Sequence, residues 1–177
     1  MELVKKAKKR VASGYYEEER RIDRVHHSLV EAVVECEKTP IITEIKYASP
    51  SSGTIRQPEP ALKIAKAMLN GGASALSILT DPDDFSGEIT ILAEIAEQVD
   101  VSVVMKDIVV SPSQLEAGAR AGADAVILIA EVFSRGFAEV GLDRMIADAR
   151  SLGLEVLAEA NGTREFEIGR ASCRERV

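Results

Sequence analysis

The sequence predicts an α/β fold of the TIM (β/α)8-barrel kind, and three observations carry that expectation. From residue 40 onward, short apolar runs of strand character alternate with segments of helical character. Ionisable residues close the runs: Glu44 and Lys46 the first, Met105-Lys106-Asp107 another, and Ala158-Glu159-Ala160-Asn161 the last. Parallel barrels gather their catalytic groups at this C-terminal rim, because the strand-to-helix loops all emerge there. The third observation is the repeat length. Strand starts at Ile41 and Glu155 lie four units apart, which gives about 28 residues per unit and matches a barrel of roughly 250 residues when eight units are counted. The 177 residues therefore suffice for about five-eighths of a barrel. A doubly wound open sheet is the rival with five strands, but its phosphate site sits in a Gly-rich first turn. Here that turn reads Ala48-Ser-Pro-Ser-Ser-Gly53 and fits neither the dinucleotide nor the P-loop pattern.

Residues 1–39 carry helical signals only: a segment over 3–14, a charged stretch over 17–24, and a second segment over 28–37, with Pro40 ending the prelude. Leu3, Val4, Ala7 and Val11 form an apolar stripe at helical spacing, so Lys5, Lys6, Lys8, Lys9 and Arg10 are expected on a solvated face. A strand follows over 41–46, a helix over 60–70 stopped by Gly71-Gly72, and a strand over 74–79. Next come a helix over 88–98 and a strand over 101–106. Ser111-Pro112-Ser113-Gln114 then opens a helix with a capping residue, a first-turn proline and a Gln at the capping-box position. That helix ends at Gly122. A strand over 125–130, a helix over 142–152 closed by Gly153, and a strand over 155–160 complete the series. The strands are apolar on both faces, as strands covered by helices must be.

Composition limits the function classes. The chain is 46% hydrophobic and 29% charged, with a net charge of −7, the make-up of one domain with a substantial core. That acidity argues against a nucleic-acid partner. No apolar run reaches the roughly 18 residues of a membrane span, and the charged N-terminus lacks the core of a signal peptide, so the expectation is a cytosolic protein. Cys36 and Cys173 form no disulfide framework or zinc pattern. His26 and His27, adjacent and pointing apart on a helix, read as surface residues, so no metal is expected.

Strand alternation places Glu44 and Lys46 on one face, and Leu157 and Glu159 likewise. Any one strand-end charge reads equally well as a solvated residue or an ion pair. Four from three strands at one rim point to a site. Lys106 follows the apolar run Val101-Ser-Val-Val-Met105 and suits proton donation, with Glu159 its basic counterpart. Ser49, Ser51 and Gly53 form a small polar loop fit for a phosphate or carboxylate, though such loops are also common turns.

These residues carry a resemblance. Ile42-Thr-Glu44-Ile-Lys46-Tyr-Ala-Ser49-Pro50-Ser51 resembles the first-strand signature of the indole-3-glycerol-phosphate synthase family. Four more stretches agree in order: Ala75-Leu-Ser-Ile-Leu-Thr80 with Phe85 and Gly87, Lys106-Asp107, Gly122-Ala-Asp124-Ala-Val-Ile-Leu128-Ile129, and Leu152-Gly-Leu-Glu-Val-Leu-Ala-Glu159. The resemblance spans about Leu3 to Arg164. It implies a TIM barrel with a helical extension that closes an indole ring from a carboxyphenylamino-deoxyribulose 5-phosphate, without metal or cofactor, releasing carbon dioxide and water. It further implies Lys106 as general acid, Lys46 as partner of the benzoate carboxylate, Glu159 as base in the dehydration and Glu44 as the group orienting the lysines. Ser49 would bind phosphate, Phe85 and Leu128 would line the aromatic pocket, and Asn161 would touch substrate. Tyr47 and Ile108 depart from the residue types usual in the family.

The expected organisation is a helical extension over 1–39 and a partial barrel over 40–166. Residues 167–177 continue no periodic pattern and resemble a translated sequencing adapter, so they are read as a non-native tail. Two alternatives stand beside the lyase: a non-catalytic partial barrel that self-associates through the open edges of its first and last strands, and another phosphosugar isomerase of barrel form.

Overall fold

The computed structural model describes residues 1–17, 21–55, 59–163 and 166–167. Its centre is a parallel sheet of five strands, β1 (Ile42–Ile45), β4 (Ala75–Leu79), β5 (Ser102–Lys106), β6 (Ala125–Ile129) and β7 (Glu155–Glu159), paired in that order. Each strand pairs with the one preceding it along the sheet in chain order, with no reversal. A doubly wound sheet reverses direction at a switch point, so this order is that of consecutive barrel strands and leaves one sheet face free of crossover helices. A two-stranded hairpin, β2 (Ala48–Ser49) and β3 (Gly53–Thr54), projects from the end of β1.

The two faces of the sheet differ as alternation requires. Ile45, Leu76, Ile78, Val103, Met105, Val126 and Leu128 face outward into the main core with α3 (Ala61–Asn70), α4 (Ile89–Ala96), α5 (Pro112–Arg120) and α7 (Leu142–Ser151). Leu76, Ile78, Leu92, Ile95, Met105, Leu115, Met145 and Ile146 lose essentially all their accessible surface, each contributing about 1.5–3 kcal/mol. Gly118 lets α5 lie close against β5, since a Cβ there would sit 2.6 Å from Met105 Sδ. The inner face carries Ile42, Ala75, Val104, Ala125, Ile127 and Ile129, packed with Leu29 of α2 (Leu29–Val34). The capping box at α5 forms as expected, with Ser111 accepting from the helix start and Gln114 reaching back.

The prelude departs from expectation. Residues 18–20 of the charged stretch lie outside the described residues, and 21–28, expected to be partly helical, adopt neither helix nor strand. Burial and buried charge override local propensity there: Ile22 enters the core, and Arg24 donates to Asp124 Oδ2 at 2.6 Å and to the Gly122, Val99 and Val101 carbonyls. His26 and His27 therefore lie on a segment without regular structure, His26 exposed and 3.3 Å from Asp124. The second segment shortens to α2. The hairpin β2–β3 and a short α6 (Ala130–Ser134) were not expected. Residues 168–177 of the presumed tail lie outside the described residues.

The basic cluster of α1 (Glu2–Ala12) is the larger correction. Arg10 is 5% exposed, not solvated. It stands three residues after Ala7 and seven after Leu3, on the stripe that packs against Ile108, Val110 and Val132 beyond β5 and β6. Helix α1 thus lies across the rim where β5 and β6 end.

Candidate active site

Alternation along β1 turns Glu44 to the inner face with Ile42, and alternation along β5 turns Lys106 there with Val104. The two strands are not neighbours, since β4 lies between them. Glu44 nevertheless spans the gap. Its Oε2 accepts from Lys106 Nζ at 2.7 Å, and its Oε1 lies 2.9 Å from Lys46 Nζ. One carboxylate holds two ammonium groups at the mouth of the trough, with about a third of each lysine side chain exposed. Burial alone would raise the Glu44 pKa, but the bonds from Lys106 and Lys46 outweigh it and hold the carboxyl below its ordinary value. Such a pair presents two cationic donors to an anionic ligand, with a carboxylate alongside to exchange protons.

Glu159 ends β7 on the same inner face, level with Ile129 of β6 and two strands from Lys106. Beyond the backbone ladder with β6, no side-chain hydrogen bond or ion pair joins it to another described residue. The structure thus gathers Glu44, Lys46 and Lys106 into one contact cluster and leaves Glu159 on the shared face without touching them. Ser49 lies in the hairpin, where its Oγ accepts from Ser52 N at 3.2 Å and sits 3.3 Å from Ser51 Oγ. The Phe85 carbonyl accepts from Ala48 N at 3.2 Å, which ties the β4–α4 loop to that hairpin, and its half-buried ring lies outside the apolar clusters. Asn161 is exposed just beyond β7.

Leu128 is a correction. It is fully buried on the helix-facing side of β6, within the main core, so it does not line a pocket at the mouth. Its neighbours Ile127 and Ile129 hold the inner face instead. The resemblance assigns the pocket residue to the right strand, but one position along a strand moves a side chain to the opposite face. Tyr47 turns away from the lysines, with its hydroxyl donating to the Glu59 carbonyl at 2.7 Å.

Sequence reasoning also missed a buried polar cluster behind Lys106. Asp107, 2% exposed, accepts from Arg10 Nη2 at 3.1 Å through Oδ1, and from Tyr16 at 2.7 Å and Thr80 Oγ1 at 2.8 Å through Oδ2. Arg10 continues to Asp81 and Asp83 at 2.9 and 2.6 Å. Gln114 Nε2 donates to the Tyr16 hydroxyl at 3.2 Å. Burial, and then the Asp107 charge, push the Tyr16 phenol far above its ordinary pKa, so it remains a donor. The available signal was Arg10 lying on the apolar stripe of α1.

The family model described as indole-3-glycerol phosphate synthase matches residues 1–172. The chain belongs to that family. Curated family members include the indole-3-glycerol phosphate synthases of Geobacillus thermodenitrificans, 40% identical over 72% of this chain, and Halobacterium salinarum, 41% identical over 73%. The Lactococcus lactis protein is 38% identical over 72% of the chain. In all three the match covers 48% of the relative, so the chain spans about half the length of the curated family members it matches. Among solved structures, a Yersinia pestis dihydropteroate synthase is similar over 75% of this chain and 52% of its own, at 19% identity and a TM-score of 0.46.

Proposed function

We propose that this chain carries the first half of an indole-3-glycerol-phosphate synthase site, acting on 1-(2-carboxyphenylamino)-1-deoxyribulose 5-phosphate. The observation that carries the reading is the single carboxylate of Glu44 bonded at once to Lys46 and Lys106. A substrate with a benzoate carboxylate at one end and a ketone in its sugar chain calls for two cations with different tasks. Lys46, at the end of β1, pairs with the benzoate carboxylate. Lys106 protonates the ketone oxygen as the ring carbon that bears the carboxylate attacks the ketone carbon. The new carbon–carbon bond leaves that ring carbon tetrahedral, and carbon dioxide departs with its bonding pair returned to the ring, which regains aromaticity. The hydroxyl formed from the ketone accepts a proton from the recharged Lys106 and leaves as water, while Glu159 takes the proton lost from the neighbouring carbon of the new ring. Glu44 returns protons to Lys106 between steps. Ser49 and the hairpin amides hold the phosphate, while Phe85 and Asn161 contact the remainder of the substrate.

The test is indole formation from the carboxyphenylamino substrate, followed by fluorescence, on this chain and on a chimaera continuing it with the second half of the Geobacillus thermodenitrificans relative. Turnover in the chimaera supports the assignment. An isomerase activity on a phosphorylated ribosyl amine, with no ring closure, would replace it by the other phosphosugar reading. A second reading, a self-associating partial barrel, draws on one observation: among the described residues β1 and β7 each have a neighbour on one side only, and unpaired edges invite pairing. A monomer in gel filtration would remove it.

A further inference from the structure

We propose that Asp107 is a positioning residue for Lys106, and that helix α1 supplies the clamp that makes it one. The inference rests on the reading of Lys106 as proton donor. Lys106, the last residue of β5, enters the inner face with Val104, while Asp107, one residue beyond the strand, turns to Arg10 of α1 and to Tyr16. The Asp107 carboxylate is then fully committed. It receives Arg10, Tyr16, Thr80 and the Ile108 amide, at 3.1, 2.7, 2.8 and 2.7 Å. A side chain bonded at both oxygens fixes its own backbone, and with it the direction in which the preceding residue leaves the strand.

The same anchor reaches the Lys106 backbone directly. The Lys106 carbonyl accepts from Thr80 N at 3.0 Å, and the Thr80 carbonyl in turn accepts from the Tyr15 hydroxyl at 3.2 Å. Tyr15 and Tyr16 follow α1, with their rings edge to face at 4.9 Å between centroids. Two tethers from the prelude, sharing Thr80, therefore end on Lys106 and its successor. Three carboxylates around Arg10 keep the guanidinium charged against the cost of its burial. Donor identities in the clamp are thus constant over the working pH range. Lys106 would otherwise have only its bond to Glu44 to hold a long, flexible side chain in place.

Trace acetylation of the full chain, read by mass spectrometry as the rate at Lys106 relative to exposed Lys66, tests this without needing turnover. Asp107→Asn is expected to raise that ratio about fivefold by freeing the Lys106 amine, while the Lys46 ratio changes less than about twofold. Thr80→Val and Tyr16→Phe, which each delete one donor and keep the side-chain shape, are expected to raise it by lesser amounts and to serve if Asp107→Asn does not fold. An unchanged Lys106 ratio in those variants, whatever happens to their melting temperatures, would reduce the cluster to a purely stabilising role and overturn the proposal. Because labelling and ring closure are measured separately, a failed activity assay with the labelling change intact indicts the assigned reaction and not the clamp.

Discussion

Replacing Glu44 by Gln removes the one carboxylate that joins Lys46 and Lys106, and its effect can be worked from the geometry. Both contacts are short, at 2.9 and 2.7 Å, but the lysine side chains are 33% and 32% exposed and Glu44 is 27% exposed. Solvent screening puts each pair toward the surface range of about 0.2–1 kcal/mol rather than the buried one. Two charge-assisted bonds to one acceptor then give a loss of about 1–2 kcal/mol, or a fall in melting temperature of about 3–6 °C for a chain of this size. The pH dependence is the sharper signature. Glu44 is held below its ordinary value of 4.5 in the folded chain, so its ionised form favours folding. That contribution is complete above the unfolded value and is lost as pH falls through the lowered folded value. Denaturant unfolding of both chains from about pH 7 to about pH 3.5 should show the gap closing at the acid end. A gap of constant size across that range would refute the electrostatic account of the bridge.

Other substitutions probe separate parts of the account. Asp81→Asn is expected to hold or raise stability at neutral pH, because burial outweighs the Arg10 contact and lifts the Asp81 pKa above its ordinary 3.8, so that its ionisation opposes folding there; Asp83 and Asp107 still pair with Arg10, and Asn keeps the acceptor for Asp84 N. Denaturant midpoints should shift in favour of the parent as pH falls through that region, and a pH-independent loss of more than about 2 kcal/mol would contradict this. Gly87→Ala would place a Cβ 2.1 Å from the Leu79 carbonyl oxygen, a backbone atom that cannot yield cheaply, so thermal unfolding should reveal a loss of about 3 kcal/mol or more. Leu128→Ala should cost about 2–5 kcal/mol in chemical denaturation, yet leave acetylation of Lys106 unchanged, since Leu128 faces the helices and not the trough.

The strands and the charged ends were readable because each rests on local pattern. Three apolar runs closed by Glu44 and Lys46, by Lys106 and by Glu159 need only alternation and spacing to be recognised, and the capping box at Ser111 is a short-range signal. What could not be read depends on contacts far apart in the chain. Arg10 meets Asp107 across 97 positions, and Arg24 meets Asp124 across 100. Local propensity made the first a solvated helix residue and the second part of a helix. Burial against a distant carboxylate decided both. Leu128 failed for a smaller reason: both faces of β6 are apolar, so nothing in the run itself says which residues face inward.

The account stands on Lys106 as the acid in ring closure. The most direct measurement is the rate of indole-3-glycerol phosphate formation by the chimaera and its Lys106→Met variant, with substrate saturating and folding confirmed by circular dichroism. The account predicts loss of turnover by at least about a hundredfold. A rate in Lys106→Met within about threefold of the parent would contradict it.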